Sequence, residues 1–273
     1  ALTIDWPAVG RSLAATPGPV LWQAAGLAAT SHAVFSCFDL FGRQHTHHGL
    51  PVPRVMAVNF VSYAFNLNLG AVVGGVAMRF RLYAQQGLSP GVITQVLALS
   101  WLTNWLGYCA LGGALFLLAP PPLPAHWALG TLGLRLLGAL LLAAAAAYLG
   151  LCLRARQRQF TVRGYRLVLP RARMAAVQLV VSAVHWILLG QIVTVLLQDQ
   201  VPLTTALGVL MVGAIATLVT HVPAGLGVLE AVFVALLSDR VPVPQLLAAL
   251  LAYRAVYYLA PWALAGGLLL HLE

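Results

Sequence analysis

The sequence predicts an all-α polytopic membrane protein with about seven long transmembrane helices and two re-entrant half-helices. Hydrophobic residues make up 61% of the 273 positions and charged residues only 8%, against roughly 25% charged in a soluble globular domain. Mean hydropathy is +0.89. Apolar runs recur at the length, about 20 residues, that carries a helix across hydrocarbon. Two of these runs break at Gly and Pro residues beside charges, which membrane depth tolerates only where backbone is buried in protein or lines a polar cavity.

The elements follow in order. Residues 1–16, with Asp5 and Trp6, read as an interfacial lead-in; there is no basic n-region, so no removable signal peptide is expected. Residues 17–273 read as a single transmembrane domain. Long helices are predicted at 19–41, 52–70, 91–118, 128–152, 174–197, 204–220 and 243–270. Two shorter apolar pieces, 71–84 and 225–238, are Gly-led and about half a crossing long.

Charge sets the expected orientation. All fifteen basic residues are Arg, and seven lie in the segment 154–173 between two apolar runs. By the positive-inside bias that loop is cytoplasmic, and the uncharged Pro-rich turn at 119–125 faces outward. The net charge of +9 therefore reflects topology, and no nucleic-acid partner is expected. Cys37, Cys109 and Cys152 are widely spaced in apolar surroundings and read as buried thiols.

A weak internal repeat organises the chain into pseudo-repeated halves, 17–118 and 174–270, joined by the helix at 128–152 and the Arg-rich loop 154–173. The first break reads Asn66-Leu-Asn68-Leu-Gly70, then Gly74-Gly75-Val-Ala-Met-Arg79-Phe-Arg81-Leu-Tyr83. The second reads His221-Val-Pro223-Ala-Gly225-Leu-Gly227-Val-Leu-Glu230. Paired interruptions in corresponding halves point to a binding site between them.

If the two breaks meet, half-helix N-termini offer amides and partial positive charge to an anion. Arg79 and Arg81 add bidentate contacts for phosphate oxygens. Glu230 can neutralise an Arg, accept the amine of a zwitterionic or aminoacylated headgroup, or serve as an electrostatic gate or proton carrier, with Arg254 its expected intramembrane partner. Plainer roles stand beside these: topology for the two arginines, and a structural ion pair for Glu230. His185 and His221 sit in or beside apolar helices and could relay protons, or serve as hydrogen-bonded core histidines. His45-Thr-His47-His48 has only Asp39 as a neighbouring acid and no Cys, so no metal and no cofactor are expected. No Walker loop, HExxH or GxSxG motif is present, so the chain is not expected to be an enzyme.

The P-x-G-x-G-x-x-E of residues 223–230 and the G-x-x-x-R-x-R-x-Y-x-x-x-G of residues 75–87 resemble the membrane region of the lysyl-phosphatidylglycerol synthase/flippase family, and in particular its stand-alone, YbhN-like branch. The similarity covers about residues 17–270. It implies a bacterial inner-membrane protein related to domains that move aminoacylated phospholipids between leaflets. The matching positions are Gly75, Arg79, Arg81 and Tyr83, then Pro223, Gly225, Gly227 and Glu230. Nothing here matches the soluble aminoacyl-transferase domain of the full synthase, so lysyl transfer is not expected of this chain. The resulting expectation is a lipid translocase for an anionic or aminoacylated phospholipid, or a related lipid-linked headgroup. Arg79, Arg81, Tyr83, Glu230 and Arg254 would form its headgroup path, and Gly74, Gly75, Pro223, Gly225 and Gly227 its helix breaks. Membrane lipids are the expected partners, with a homodimer and a lipid-synthesis enzyme also compatible. The alternatives are a membrane-embedded enzyme on a lipid-linked substrate, a proton-coupled small-solute carrier, or a scaffold.

Overall fold

The computed structural model describes residues 5–124, 127, 129–154, 159–162, 165–220, 222 and 225–272, with 159–162 and 165–168 as backbone alone. A short helix α1 (Trp6–Ala14) opens the chain; the Asp5 side chain caps it by accepting from the Ala8 amide at 2.9 Å. Val9 packs α1 onto Leu247 and Ala248. Then come α2 (Gly18–Ser36) and α3 (Phe38–Thr46), a nearly continuous rod interrupted at Cys37. α4 (Val52–Leu69) starts behind Pro51 and ends at Gly70. A π-helical turn (Ala71–Ala77) leads into α5 (Met78–Gln85).

α6 (Pro90–Leu118) and α7 (Thr131–Arg154) form a long antiparallel pair. They close on each other through glycine: a Cβ on Gly138 would lie 2.8 Å from the Gly113 carbonyl oxygen. Small residues give such close backbone approach in lipid, where no hydrophobic force between helices is available. The opposite face of α7 shows Leu132, Leu136 and Leu140 to the outside.

α8 (Ala172–Leu196) runs through the middle of the bundle, with His185, Gln178 and Ser182 buried. α9 (Leu203–Thr220) and α10 (Val228–Leu237) fold against each other across the second break. α11 (Val243–Arg254), a second π turn (Ala255–Leu259) and α12 (Ala260–Leu272) make one final rod.

Six helical stretches among the described residues are long and apolar enough to cross a membrane, and Val228–Leu237 is a shorter apolar helix. Of the seven long runs expected, only 52–70 falls outside those six. It forms an 18-residue helix, but Arg54, Asn59, Asn66 and Asn68 lower its hydropathy, and Asn59 is buried against protein. The expected half-helix 71–84 begins as a π turn, and its partner at 225–238 becomes regular only from Val228.

The Arg-rich segment expected to be a plain loop contains an antiparallel hairpin, β1 (Gln159–Val162) with β2 (Tyr165–Val168), in which Gln159 opposes Val168. Phe160, Val162, Tyr165, Leu167 and Val168 supply the aromatic and branched residues that favour strands.

The first break is a tight reversal. Gly70 has φ 85 and ψ 169, a conformation reserved in practice for glycine. Beyond it the π turn folds back onto α4 so closely that a Cβ on Gly74 would overlap the Phe65 carbonyl and the Asn66 amide. Gly74→Ala must therefore move backbone, and its expected cost is about 1–3 kcal/mol. A lowered thermal midpoint of the purified protein in detergent checks this; an unchanged midpoint would show that the reversal has room for a methyl group.

Candidate functional site: an intramembrane cavity between two helix breaks

The second break, like the first, depends on glycine. Gly225 (φ 58) and Gly227 (φ 78) both lie in the left-handed region, and a Cβ on Gly225 would also sit 2.8 Å from the Thr217 hydroxyl. His221 and Pro223 lie outside the described residues.

The two breaks face one cavity of about 580 Å³. Gly70, Ala71 and Val72 line it from the first break; Thr217, Val222 and Gly225 line it from the second. Tyr63, Tyr253, Tyr257 and Tyr258 supply an aromatic wall, with Asn66 and Asn104 as amide groups.

Behind Gly225 lies a charge pair. Glu230 stands in the first turn of α10, where the helix N-terminus favours an anion. Arg254 ends α11 and grips it bidentately, Nε to Oε1 at 2.5 Å and Nη2 to Oε2 at 3.1 Å. The same Nη2 donates to the Gly225 carbonyl at 3.0 Å, tying the break to the pair. The guanidinium lies 5.3 Å from the centre of the Tyr258 ring, within cation–π range. The Glu230 side chain is 17% exposed, so the pair is partly open.

A second charge pair is fully enclosed. Asp39 of α3 is 0% exposed and Arg79 of α5 is 2% exposed. Asp39 Oδ2 accepts from Arg79 Nε at 3.1 Å and from the Tyr83 hydroxyl at 2.8 Å. Arg79 Nη2 donates to Asn59 Oδ1 at 2.5 Å. The Asn59 amide in turn donates to the carbonyls of Phe35 and Ser36, at 3.0 and 3.4 Å, at the α2–α3 interruption. Buried ions persist only when paired and hydrogen-bonded in this way. Beside Tyr83, 6.3 Å away, is the His48 ring; burial, with Arg43 nearby, pushes its imidazole below the usual range, while Asp39 acts in the opposite sense.

A third network is uncharged. The Tyr63 and Tyr257 hydroxyls are 3.1 Å apart, Tyr257 is 3.4 Å from the Ser31 hydroxyl, and Ser31 is 3.0 Å from His185 Nδ1. The second π turn helps to assemble it. Its carbonyls at Tyr257 and Tyr258 accept from His32 Nε2 at 3.1 Å and Asn68 Nδ2 at 3.2 Å, so polar groups loosened from the regular ladder still find donors.

The sequence grouped Arg79, Arg81, Tyr83, Glu230 and Arg254 around one headgroup path. The structure distributes them differently: Glu230 and Arg254 stand one layer behind the cavity, Arg254 touching its lining residues Gly225 and Tyr258, while Arg79 and Tyr83 belong to the separate Asp39 pair, and Arg81 is exposed. The physical reason is Asp39, a carboxylate with no exposure that requires a cation and draws Arg79 inward. Gly74 and Gly75 shape the first reversal beside Phe65 and Asn66, and His185 ends the hydroxyl chain. Sequence reasoning missed Asp39, Asn59, Tyr63 and Tyr257. Asp39 did leave a signal, because the chain has only six acids and it shares with Glu230 a position inside an otherwise apolar stretch.

Membrane-length helices around a cavity lined by two helix breaks, with an ion pair behind it, define a multi-pass membrane protein. More particularly, the chain belongs to the lysylphosphatidylglycerol synthase TM region family, whose model matches residues 1–265. It is 43% identical over 263 residues to the inner membrane protein YbhN of Escherichia coli (strain K12), covering 96% of this chain and 83% of that protein. It is 32% identical over 255 residues to the uncharacterized protein slr0712 of Synechocystis sp. (strain ATCC 27184 / PCC 6803 / Kazusa), covering 91% and 79%.

Proposed function

We propose that this protein moves a lipid between the leaflets of a bacterial inner membrane, taking an anionic or aminoacylated phospholipid headgroup, or a related lipid-linked one, into the cavity between the two breaks. The observation that carries this reading is the cavity itself: both breaks and an aromatic wall face a space whose neighbour is the Glu230–Arg254 pair. A volume of about 580 Å³ falls in the range of small-molecule sites, roughly 300–1,000 Å³. Membership of a family named for a lipid synthase's membrane region supports a lipid as cargo, and similarity to an inner membrane protein supports the location. In this reading the chain is a transporter without catalytic chemistry, its two halves rearrange around the cavity, the Arg-rich segment faces the cytoplasm, and Glu230 acts as an electrostatic gate.

The test is reconstitution. Vesicles containing the purified protein and phosphatidylglycerol with a fluorescent label are exposed to an external quencher. Transfer should run about tenfold or more above protein-free vesicles, a difference of ~1.4 kcal/mol in barrier. Ala214→Trp, on the cavity wall, should return it to the protein-free rate. Equal rates with and without protein would overturn the reading.

A second reading, proton-coupled movement of a small solute, is favoured by the hydroxyl chain that runs from the cavity to His185. Protein-dependent lipid transfer without a pH gradient would count against it.

A further inference from the structure

The bundle has a second opening, an apolar groove of about 610 Å³. One wall is α2, where Ala25, Ala29 and Ala33 recur every four residues and reduce one helix face to methyl groups. Met56 and Phe60 of α4 and Leu264 of α12 complete it.

Groove and cavity are separated by a single layer of side chains. Consecutive residues of the second π turn divide between them: Ala255 and Val256 line the groove, Tyr257 and Tyr258 the cavity. On α4, Phe60 lies on the groove and Tyr63 on the cavity. His32 fills the partition, its ring centre 5.6 Å from Phe60, 5.4 Å from Tyr63 and 4.7 Å from Tyr257. It lines the groove yet is only 3% exposed. Its Nε2 meets the Tyr257 carbonyl, while its Nδ1 has no hydrogen-bond partner among the described residues.

These facts identify an occupant. Two groove walls belong to the spans Gly18–Thr46 and Val243–Leu272, and water is absent at that depth, so the apolar lining takes hydrocarbon. A ring nitrogen without a partner in a dry wall is unfavourable until a donor arrives. With Nε2 donating to a carbonyl, the neutral ring presents Nδ1 as an acceptor. The fitting ligand is therefore amphipathic, with an apolar chain and a hydroxyl in its headgroup.

We propose that the groove seats a hydrocarbon chain of the same lipid whose headgroup enters the cavity, and that His32 is a positioning residue at the threshold, its Nδ1 accepting from a hydroxyl of that headgroup, such as those of phosphatidylglycerol. The proposal rests on the translocation reading above. The π turn is then the partition that the lipid straddles.

Phosphatidylglycerol carrying a photoreactive diazirine in one acyl chain, in vesicles with the whole protein, tests this by mapping cross-links with mass spectrometry. Cross-links at Ala29, Ala33 and Phe60 should exceed those at Leu136 and Leu140, on the outer face of α7, at least fivefold. Ala29→Trp should abolish the excess at Phe60. His32→Phe should lower groove cross-linking at least fivefold, while His32→Gln, which keeps a donor and an acceptor, should restore it to within twofold of wild type. Groove labelling no higher than on α7 would overturn the seat, and this map from the unaltered protein does not depend on any variant folding. Equal labelling in wild type and His32→Phe would overturn the role of His32. Protein-dependent transfer without groove labelling sinks the seat and keeps the translocation reading; groove labelling without transfer does the reverse.

Discussion

Glu230→Gln is expected to slow lipid transfer about tenfold, equivalent to ~1.4 kcal/mol, while the protein remains folded. Gln keeps the length of the side chain and one carbonyl oxygen for Arg254, so the bidentate grip becomes a single neutral contact. Hydrogen bonds to charged groups contribute about 1.5–3 kcal/mol, which sets the scale of the stability loss. Arg254 still holds the Gly225 carbonyl, so the break should persist. What changes is charge: the cavity then adjoins an uncompensated guanidinium, which should hold an anionic headgroup instead of releasing it. Lipid transfer and thermal stability measured on the same preparation separate the two roles of Glu230. Wild-type transfer by a slightly less stable variant would reduce Glu230 to a structural ion pair.

Asp39→Asn is expected to be the more damaging change to stability. It leaves the Arg79 guanidinium buried with only the Asn59 oxygen, the Gly75 carbonyl and the new amide around it, and removing one partner of a buried pair costs about 3–5 kcal/mol. A steep fall in thermal midpoint in detergent should follow. The double change Asp39→Leu with Arg79→Met should recover much of it, because replacing both buried ions with apolar groups is often near neutral. A double variant no more stable than Asp39→Asn would show that the polar contacts, and not charge balance, hold α3 to α5. Neither Asp39 nor Arg79 lines the cavity, so a folded double variant should still transfer lipid.

The helical frame was legible because bilayer hydrocarbon imposes a simple rule of length and hydropathy on each span. The breaks were legible because glycine is hard to avoid where φ is positive, as at Gly225 and Gly227. The Glu230–Arg254 pair was legible as the conjunction of two intramembrane charges. The partner of Arg79 was not, since Asp39 lies forty residues earlier in the chain and only the packing of α3 and α5 on α4, with Asn59 between them, brings the two together. The second π turn left no compositional trace: Ala255–Leu259 reads like any apolar helix, and its widening is visible only in the carbonyls that His32 and Asn68 retrieve. The β1–β2 hairpin was legible in principle, from the alternation of Phe160, Val162, Tyr165 and Leu167 with polar residues, but the density of arginines favours a charged loop.

The second π turn also acts as a joint in the timing of the final rod. In a regular helix each residue advances the azimuth by about 100°, so the face shown by α12 would be dictated by that of α11. A π turn inserts an additional residue into the winding and uncouples the two. Arg254 can therefore stay pointed at Glu230 while Leu264 lies along the apolar groove. One continuous chain of backbone thus serves two compass bearings, inward for charge and outward for hydrocarbon, without a break in the rod.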